Sequence, residues 1–515
     1  MAQETTAAVP VMTQLRGMDR NFWVANLIEA GERLAFFGVR AVLPLYMVGT
    51  TGSSLGLSYS EKGVIYMIWA LLQCLIPMVS GGYTDAYGYK KSMVTAFVIN
   101  ICGYSLMANA SGFWSMLAAG VLVGTGTAIF KPPVQGSVAK SLDAGNSALG
   151  FGIFYWVVNV GGFVAPMAAA WARGNEAHPT WSWVFYGAAI VTAWNFIPAL
   201  FLFQEPAIDP AAKGKKPAQV FMDTMGTLWD DKAMLRFLLV VSGFWFMFMQ
   251  LWDLLPNFID EWVSTLDVGA FLTSLLGAKA QSFLTAAGAA KPEILINIDS
   301  FAIILLVLPL SWLFGRFSMM TSLVLGMAIS LVGFVGSGMT MSGMWCGLLI
   351  FVFAIGEIIC SPKFSEYVGM TAPPDKKAIY MGFSNIPFAI GWAAGNGLSG
   401  PLYDRFASRA VFAKRMLAER FGMSADAVSG IKPEDLMDAL AEKMGGGATA
   451  QDAVRLLWDT YNPWVVWVIL GAVGLASVIG MVLNYRKSRP SEPVQPAAKD
   501  EKRGHRDPDE ELASA

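Results

Sequence analysis

Apolar residues run through this chain in long blocks instead of the spaced stripes of helices that face water on one side. Twelve blocks are long enough to cross a bilayer, near 22–48, 61–82, 90–110, 113–137, 149–172, 181–203, 234–262, 294–315, 318–338, 343–369, 377–400 and 462–485. About 20 helical residues span the hydrocarbon core, so each block predicts one transmembrane helix. The blocks form two sets of six around a polar stretch containing QEPAIDPAAKGKKP. The pattern predicts an all-α membrane protein: a leading segment 1–20, a six-helix bundle 21–203 and a linker 204–232 with one surface helix at 217–230. A second six-helix bundle 233–486 and a Pro-rich, charged tail 487–515, read as disordered, complete it.

Two stretches interrupt the second set. Residues 402–461 carry mixed charge and helix-like runs such as RAVFAKRMLAERF and KPEDLMDALAEKM, which predict a small helical cap outside the membrane; a partner-docking site is the alternative. Residues 264–292 are rich in Ala, Gly and Leu, as expected of a segment lying along the membrane surface.

Composition agrees with a membrane setting. The 515 residues are 55% hydrophobic and only 14% charged, with a mean hydropathy of +0.49, too apolar for a soluble protein of this length. Lys90, Lys91, Lys140, Arg316, Lys376 and Lys377 lie in turns after even-numbered spans; Lys213, Lys215 and Lys216 lie in the linker, and Arg486 and Lys487 follow the last span. The positive-inside rule places those segments and both termini in the cytoplasm. The leading segment has no apolar core with a cleavage site, so no removable signal is expected and a bacterial inner membrane fits best. A net charge of −2 without a basic stripe gives no sign of a nucleic-acid partner. Cys74, Cys102, Cys346 and Cys360 fall inside apolar blocks without metal spacing and read as buried small hydrophobes.

Chemistry concentrates in the first span. In EAGERLAFFGVR, offsets of three, four, seven and eight residues place Glu29, Glu32, Arg33 and Arg40 on roughly one helical face. Charge in lipid is costly and points to function, with a structural ion-pair knot as the plainer alternative. Glu29 and Arg33 are in the favourable i,i+4 order. Arg40 has no acid in reach on its own helix and must look to another helix, water or a carboxylate ligand.

Several stretches resemble the proton-coupled oligopeptide transporters of the major facilitator superfamily, whose two six-helix bundles rock about a central site. EAGERLAFFGVR resembles that family's E-x-x-E-R signature, with Phe36 and Phe37 where tyrosines are usual. PMVSGGYTDAYGYKK resembles the loop after the second helix, GTAIFKPPV the fourth-helix Lys motif, FYWVVNVGGF the fifth-helix signature and GEIICSP the tenth-helix motif. The resemblance implies proton coupling by Glu29, Glu32 and Arg33, with Lys131 as cross-helix partner. It implies that Arg40 and Lys131 take a peptide carboxylate, that Glu357 takes the amine, and that Tyr155, Asn159 and Ser361 line the cavity. Asn159 also reads as glue between helices.

Asp85 with Lys90 and Lys91 reads as a cytoplasmic latch, and Lys363 with Glu366 as a local i,i+3 ion pair. FWFMFMQLWDLLPNF resembles the family's F-W-x-x-F-x-Q run, ending at Gln250, with Met249 where an acid is frequent. Asp253, one turn later, is a candidate gate partner for Arg40, Trp392 a candidate pocket wall, and Asp299 an intramembrane acid without a counterpart in the motif. His178 and His505 lie in a loop and the tail, so a proton relay would use carboxylates.

The expected activity is proton-coupled symport of di- and tripeptides by a monomer, driven by the proton gradient and needing no cofactor or metal. Losing the two tyrosine hydroxyls raises a carrier of another zwitterion or organic anion as the alternative, with a non-transporting peptide sensor further off. No nucleophile constellation or phosphate loop suggests an enzyme.

Overall fold

In a computed structural model, the chain is described over residues 11–49, 54–143, 146–174, 180–206, 217–314, 316–373, 380 and 383–487. The expected latch residue Asp85 is described for its backbone alone, and Lys213, Lys215, Lys216, Lys376, Lys377, His178, His505 and the tail lie outside the described residues.

A short α1 (Val11–Arg16) precedes the first half: α2 (Arg20–Val48), α3 (Tyr59–Tyr87), α4 (Tyr89–Ala108), α5 (Phe113–Lys140), α6 (Ser147–Ala172) and α7 (Trp181–Trp194), the last extended by a π turn at Pro198–Leu202. The linker helix α8 (Pro217–Asp230) forms where expected. The seventh span is broken into α9 (Lys232–Phe248), α10 (Gln250–Asp253) and α11 (Leu255–Trp262). After a surface helix α12 (Leu266–Leu276) come α13 (Pro292–Phe314), α14 (Met319–Ser337), α15 (Gly343–Thr371) and α16 (Asn385–Phe406). The insertion folds as α17 (Arg409–Glu419), α18 (Ala425–Ser429), α19 (Leu436–Met444) and α20 (Ala450–Tyr461), before α21 (Val465–Lys487). The eleventh span continues through Pro401 to Phe406, so the insertion starts several residues later than its polar composition implies.

Nine of the described helices are long and apolar enough to cross a membrane by composition alone; α2 is excluded by the charges at Glu29, Glu32, Arg33 and Arg40. Local chemistry starts the helices where they start. Asp19 accepts from Phe22 N at 2.8 Å at the head of α2, Ser58 and Glu61 form a capping box on α3, and Asp231 caps α9. Trp114, Trp171, Trp183 and Trp345 are exposed near the ends of their helices on the insertion side, where amphipathic rings favour the water boundary.

Each half has an apolar core, and the halves meet where α3 lies along α16, α6 along α13 and α2 against α11. Among the described residues, the hydrogen bonds and ion pairs between halves occur toward the insertion end. Asp404 accepts from Ser60 N at 2.9 Å and Ser60 Oγ at 2.6 Å. Lys291 Nζ donates to Ala170 O at 2.8 Å and Gly174 O at 3.0 Å, and Arg173 pairs with Glu293 at 2.8 Å. The protein is therefore closed at the insertion end.

Candidate functional site

Two glycines let neighbouring helices approach the charged face of α2. A Cβ at Gly31 would stand 2.4 Å from Asn195 Oδ1, and one at Gly161 would stand 2.8 Å from Arg33 Cβ. Asn195 Nδ2 donates to Ile28 O at 3.1 Å, fixing α7 against α2. The close fit holds the first-span charges inside the bundle.

There Arg33 Nε contacts Glu29 at 3.1 Å and donates to Glu32 Oε2 at 2.6 Å, while a second guanidinium nitrogen also reaches Glu32. Glu32 is fully buried, and its Oε1 has no hydrogen-bond partner. The Arg33 guanidinium lies 5.1 Å from the Phe36 ring centre and 5.6 Å from that of Phe37. Lys131, on α5, is electrostatically coupled to Arg33, Glu32 and Glu29 but forms no ion pair with either acid among the described residues. Charge compensation within α2 is thus local, with Lys131 held beside it as a further cation.

Seven residues along, Arg40 is claimed by the other half. It pairs with Asp253 Oδ1, whose second oxygen accepts from Trp392 Nε1 at 2.6 Å and Asn396 Nδ2 at 2.7 Å. The guanidinium also faces the rings of Tyr66, Trp392 and Trp69 at 4.6, 5.2 and 5.7 Å. Buried Lys62 donates to Asp253 O and Asn257 Oδ1, each at 2.7 Å, and Asn257 Nδ2 donates to Pro44 O at 2.8 Å. This knot ties α2 and α3 to the broken seventh span and α16. Gln250 sits just below it on the Gly395 face of α16, with Nε2 3.3 Å from Phe246 O.

The opposite wall is acidic. Asp299 on α13 and Glu357 on α15 are electrostatic neighbours, and Asp299 Oδ1 and Glu357 Oε2 have no hydrogen-bond partner. Tyr155 of α6 neighbours both and is 42% exposed. Asn159 Nδ2 donates to Tyr155 O on its own helix at 2.8 Å, and Ser361 Oγ has no hydrogen-bond partner.

Several expectations change. Phe36 is buried against Trp69 in the first-half core, with ring centres 6.2 Å apart, and Phe37 is half-buried. Arg40 and Trp392 are sealed into the Asp253 knot in this closed state, because Asp253 supplies the carboxylate that Arg40 lacks on its own helix. Cys102 is exposed on the outer face of α4, unlike buried Cys74, Cys346 and Cys360. Lys90 Nζ reaches Leu200 O at 3.3 Å, and Glu205 receives Lys90 N at 3.0 Å, tying the second turn to the end of the sixth span. Lys363 and Glu366 do form their local pair, at 2.8 Å. Lys62, Asn257, Asn396, Arg173, Glu293 and Lys291 were not singled out by motif; a lone cation near the start of an apolar helix was the available signal for Lys62.

The chain is similar to the multidrug resistance protein MdtH of Klebsiella pneumoniae subsp. pneumoniae, with 23% identity over 394 residues covering 76% of this chain and 88% of that protein. It is likewise similar to MdtH of Photorhabdus laumondii subsp. laumondii, with 22% identity over 402 residues covering 76% and 89%. Among solved structures, a POT family transporter in complex with 5-aminolevulinic acid superposes with a TM-score of 0.65 at 16% identity, covering 91% of this chain and 97% of that one. The nucleoside transporter NupG superposes with a TM-score of 0.61 at 13% identity, covering 90% and 99%. Residues 31–396 match the Major Facilitator Superfamily. With that match covering most of its length, this chain belongs to the major facilitator superfamily and is a multi-pass membrane transporter.

Proposed function

We propose that this transporter is a proton-coupled symporter that imports di- and tripeptides by alternating access, working as a monomer in a bacterial inner membrane with both termini cytoplasmic. The observation that carries the reading is the placement of charge. The Glu29–Arg33–Glu32 cluster, with Lys131 beside it, belongs to the first half, and the Asp299–Glu357 wall belongs to the second. A zwitterion needs cation and anion on opposing walls. Lys131 is available for a cargo carboxylate, Glu357 suits the amine, and Tyr155, Asn159 and Ser361 supply polar edges. Arg40 joins the cation side once Asp253 lets it go.

Proton coupling follows from the same cluster. Protonating Glu32 removes its attraction for Arg33 and Lys131, freeing cationic character for the cargo carboxylate, so proton and substrate enter together. The broken seventh span, carrying Asp253 between two short helices, supplies the gate.

A second reading within the same fold is a carrier of another small zwitterion or organic anion. It is favoured by the sealing of Arg40 and by Phe36 and Phe37, which offer no hydroxyl to a peptide backbone.

The test is uptake of labelled di-alanine into liposomes under an inward proton gradient with inside-negative potential. Gradient-driven accumulation that is lost in Glu32→Gln, while counterflow exchange persists, is expected. Uptake that ignores the gradient, or survives both Glu29→Gln and Glu32→Gln, would refute proton coupling through this cluster; no di-alanine movement at all would refute the peptide assignment.

A further inference from the structure

At the insertion end lies a cavity of about 650 Å³, between the last turn of α11, residues 285–292 and α20 of the insertion. That volume falls within the roughly 300–1,000 Å³ of small-molecule sites. Two of the contacts that shut this end are built into its walls. Glu261, on the α11 wall, accepts from Tyr403 Oη at 2.9 Å, and the Tyr403 ring packs on that of Tyr59 from the first half, with centres 4.0 Å apart. Pro292, on the second wall, stands between Lys291 and Glu293, which bond across to Ala170, Gly174 and Arg173 of the first half.

The insertion is fixed at the same place. Arg409 donates from Nη1 to Glu261 O at 2.7 Å and from its backbone N to Glu261 Oε2 at 3.3 Å, and Trp262 Nε1 donates to Ala407 O at 2.8 Å. Two opposite charges in the cavity remain uncommitted. Asp260 of α11 and Arg455 of α20 both line it, both are exposed, and neither makes a hydrogen bond or ion pair among the described residues. Asp452, the acid beside Arg455, gives its carboxylate to Thr449 N and Oγ1 at 2.9 and 2.7 Å.

We propose that this cavity is an effector site for a small zwitterion, which sets its carboxylate on Arg455 and its ammonium on Asp260, and that occupancy holds the insertion end shut. Arginine presents a planar fork of donors that matches a carboxylate, and a free acid on another wall completes recognition of the amine. A ligand joining α20 to the end of α11 fastens the insertion across the residue that holds Tyr403 against the first half. Its leverage is its preference for this arrangement over the open one. The inference rests on the carrier reading only for the identity of the zwitterion: cargo in excess on the insertion side slows its own entry.

Mass action sets the size of the effect. At ten times the dissociation constant of the site, the fraction of carriers free to open falls about elevenfold.

The experiment follows a trifluoromethyl reporter by fluorine NMR on the full-length protein as di-alanine is added. The reporter is attached through Gln451→Cys, an exposed position on the cavity wall, in a Cys102→Ser background that removes the exposed native thiol. A saturable shift is expected, lost in Arg455→Ala and in Asp260→Asn and retained in Glu357→Gln, which alters the central site. N-acetyl-di-alanine lacks the amine and di-alanine amide lacks the carboxylate, so neither should move the resonance. In liposomes, gradient-driven uptake should fall again as outside di-alanine is raised, and Arg455→Ala should abolish the fall without changing uptake at low concentration. Loss of the shift in Glu357→Gln, its survival in both cavity variants, or an equal shift by either blocked peptide would overturn the proposal. Uptake that rises to a plateau with no fall, or a resonance indifferent to di-alanine that is nevertheless transported, would also overturn it, leaving the peptide reading intact. A saturable shift in a protein that moves no di-alanine removes the peptide cargo and leaves the zwitterion site.

Discussion

Replacing Asp253 by Asn removes a charge from the closed end while keeping side-chain size and one carbonyl acceptor for Trp392 and Asn396. What it strands is Arg40, 7% exposed and dependent on Asp253 for its ion pair. Breaking a buried pair by removing one partner costs about 3–5 kcal/mol. The rings of Tyr66, Trp69 and Trp392 remain around the guanidinium and offset part of the loss, so the lower end, about 3 kcal/mol, is the working figure. This cost falls on the closed state, because opening hydrates Arg40. The closed-to-open ratio should therefore drop by roughly a hundredfold. Electron–electron distance spectroscopy can read that shift from spin labels at Ser111 and Gln451, exposed residues in the first half and the insertion. A Cys102→Ser background removes the exposed native thiol. The variant should gain a longer-distance population that Asp253→Glu does not show. A distribution identical to wild type would refute the view that the Arg40–Asp253 pair holds this end shut.

Lys291→Met should act in the same direction. Lys291 is 2% exposed and donates to three carbonyls, and hydrogen bonds from a charged group contribute about 1.5–3 kcal/mol each. The same label pair would report partial opening, and no change would limit Lys291 to a local role. At the opposite end, Asp231 accepts from Ala233 N at 3.1 Å, Met234 N at 3.0 Å and Tyr380 Oη at 2.6 Å. Burial alone would raise its pKa, but hydrogen bonds from Met234, Tyr380 and Ala233 outweigh it and hold the carboxyl below the usual range. Its stabilising effect is therefore complete above the ordinary carboxylate pKa and is lost only as pH falls through the lower folded value. Asp231→Ala should cost about 1 kcal/mol at neutral pH, read as faster amide exchange at Ala233 and Met234; unchanged exchange would show that the cap is idle.

The blocks of apolar sequence predicted the spans, nine of which are long and apolar enough among the described helices, and the polar stretches between them predicted the linker helix at 217–230 and the helical character of the insertion. The bilayer imposes length and apolarity on each segment separately, so these features need no knowledge of neighbours. The i,i+4 relation of Glu29 and Arg33 was likewise legible, since both partners ride on one helix. Tertiary structure alone decided which charges meet across helices. Arg40 is 213 residues from Asp253, Lys62 is 191 residues from Asp253, and Asp299 neighbours an acid from another span. A helix's sequence fixes which residues share its face, but not how that face is turned or how far it slides against the next. Packing of small residues such as Gly31 and Gly161 sets that rotation and depth. It turned Phe36 into the core, sealed Arg40 behind Asp253, and made neighbours of Asp299 and Glu357 where the sequence displayed only two separate acids.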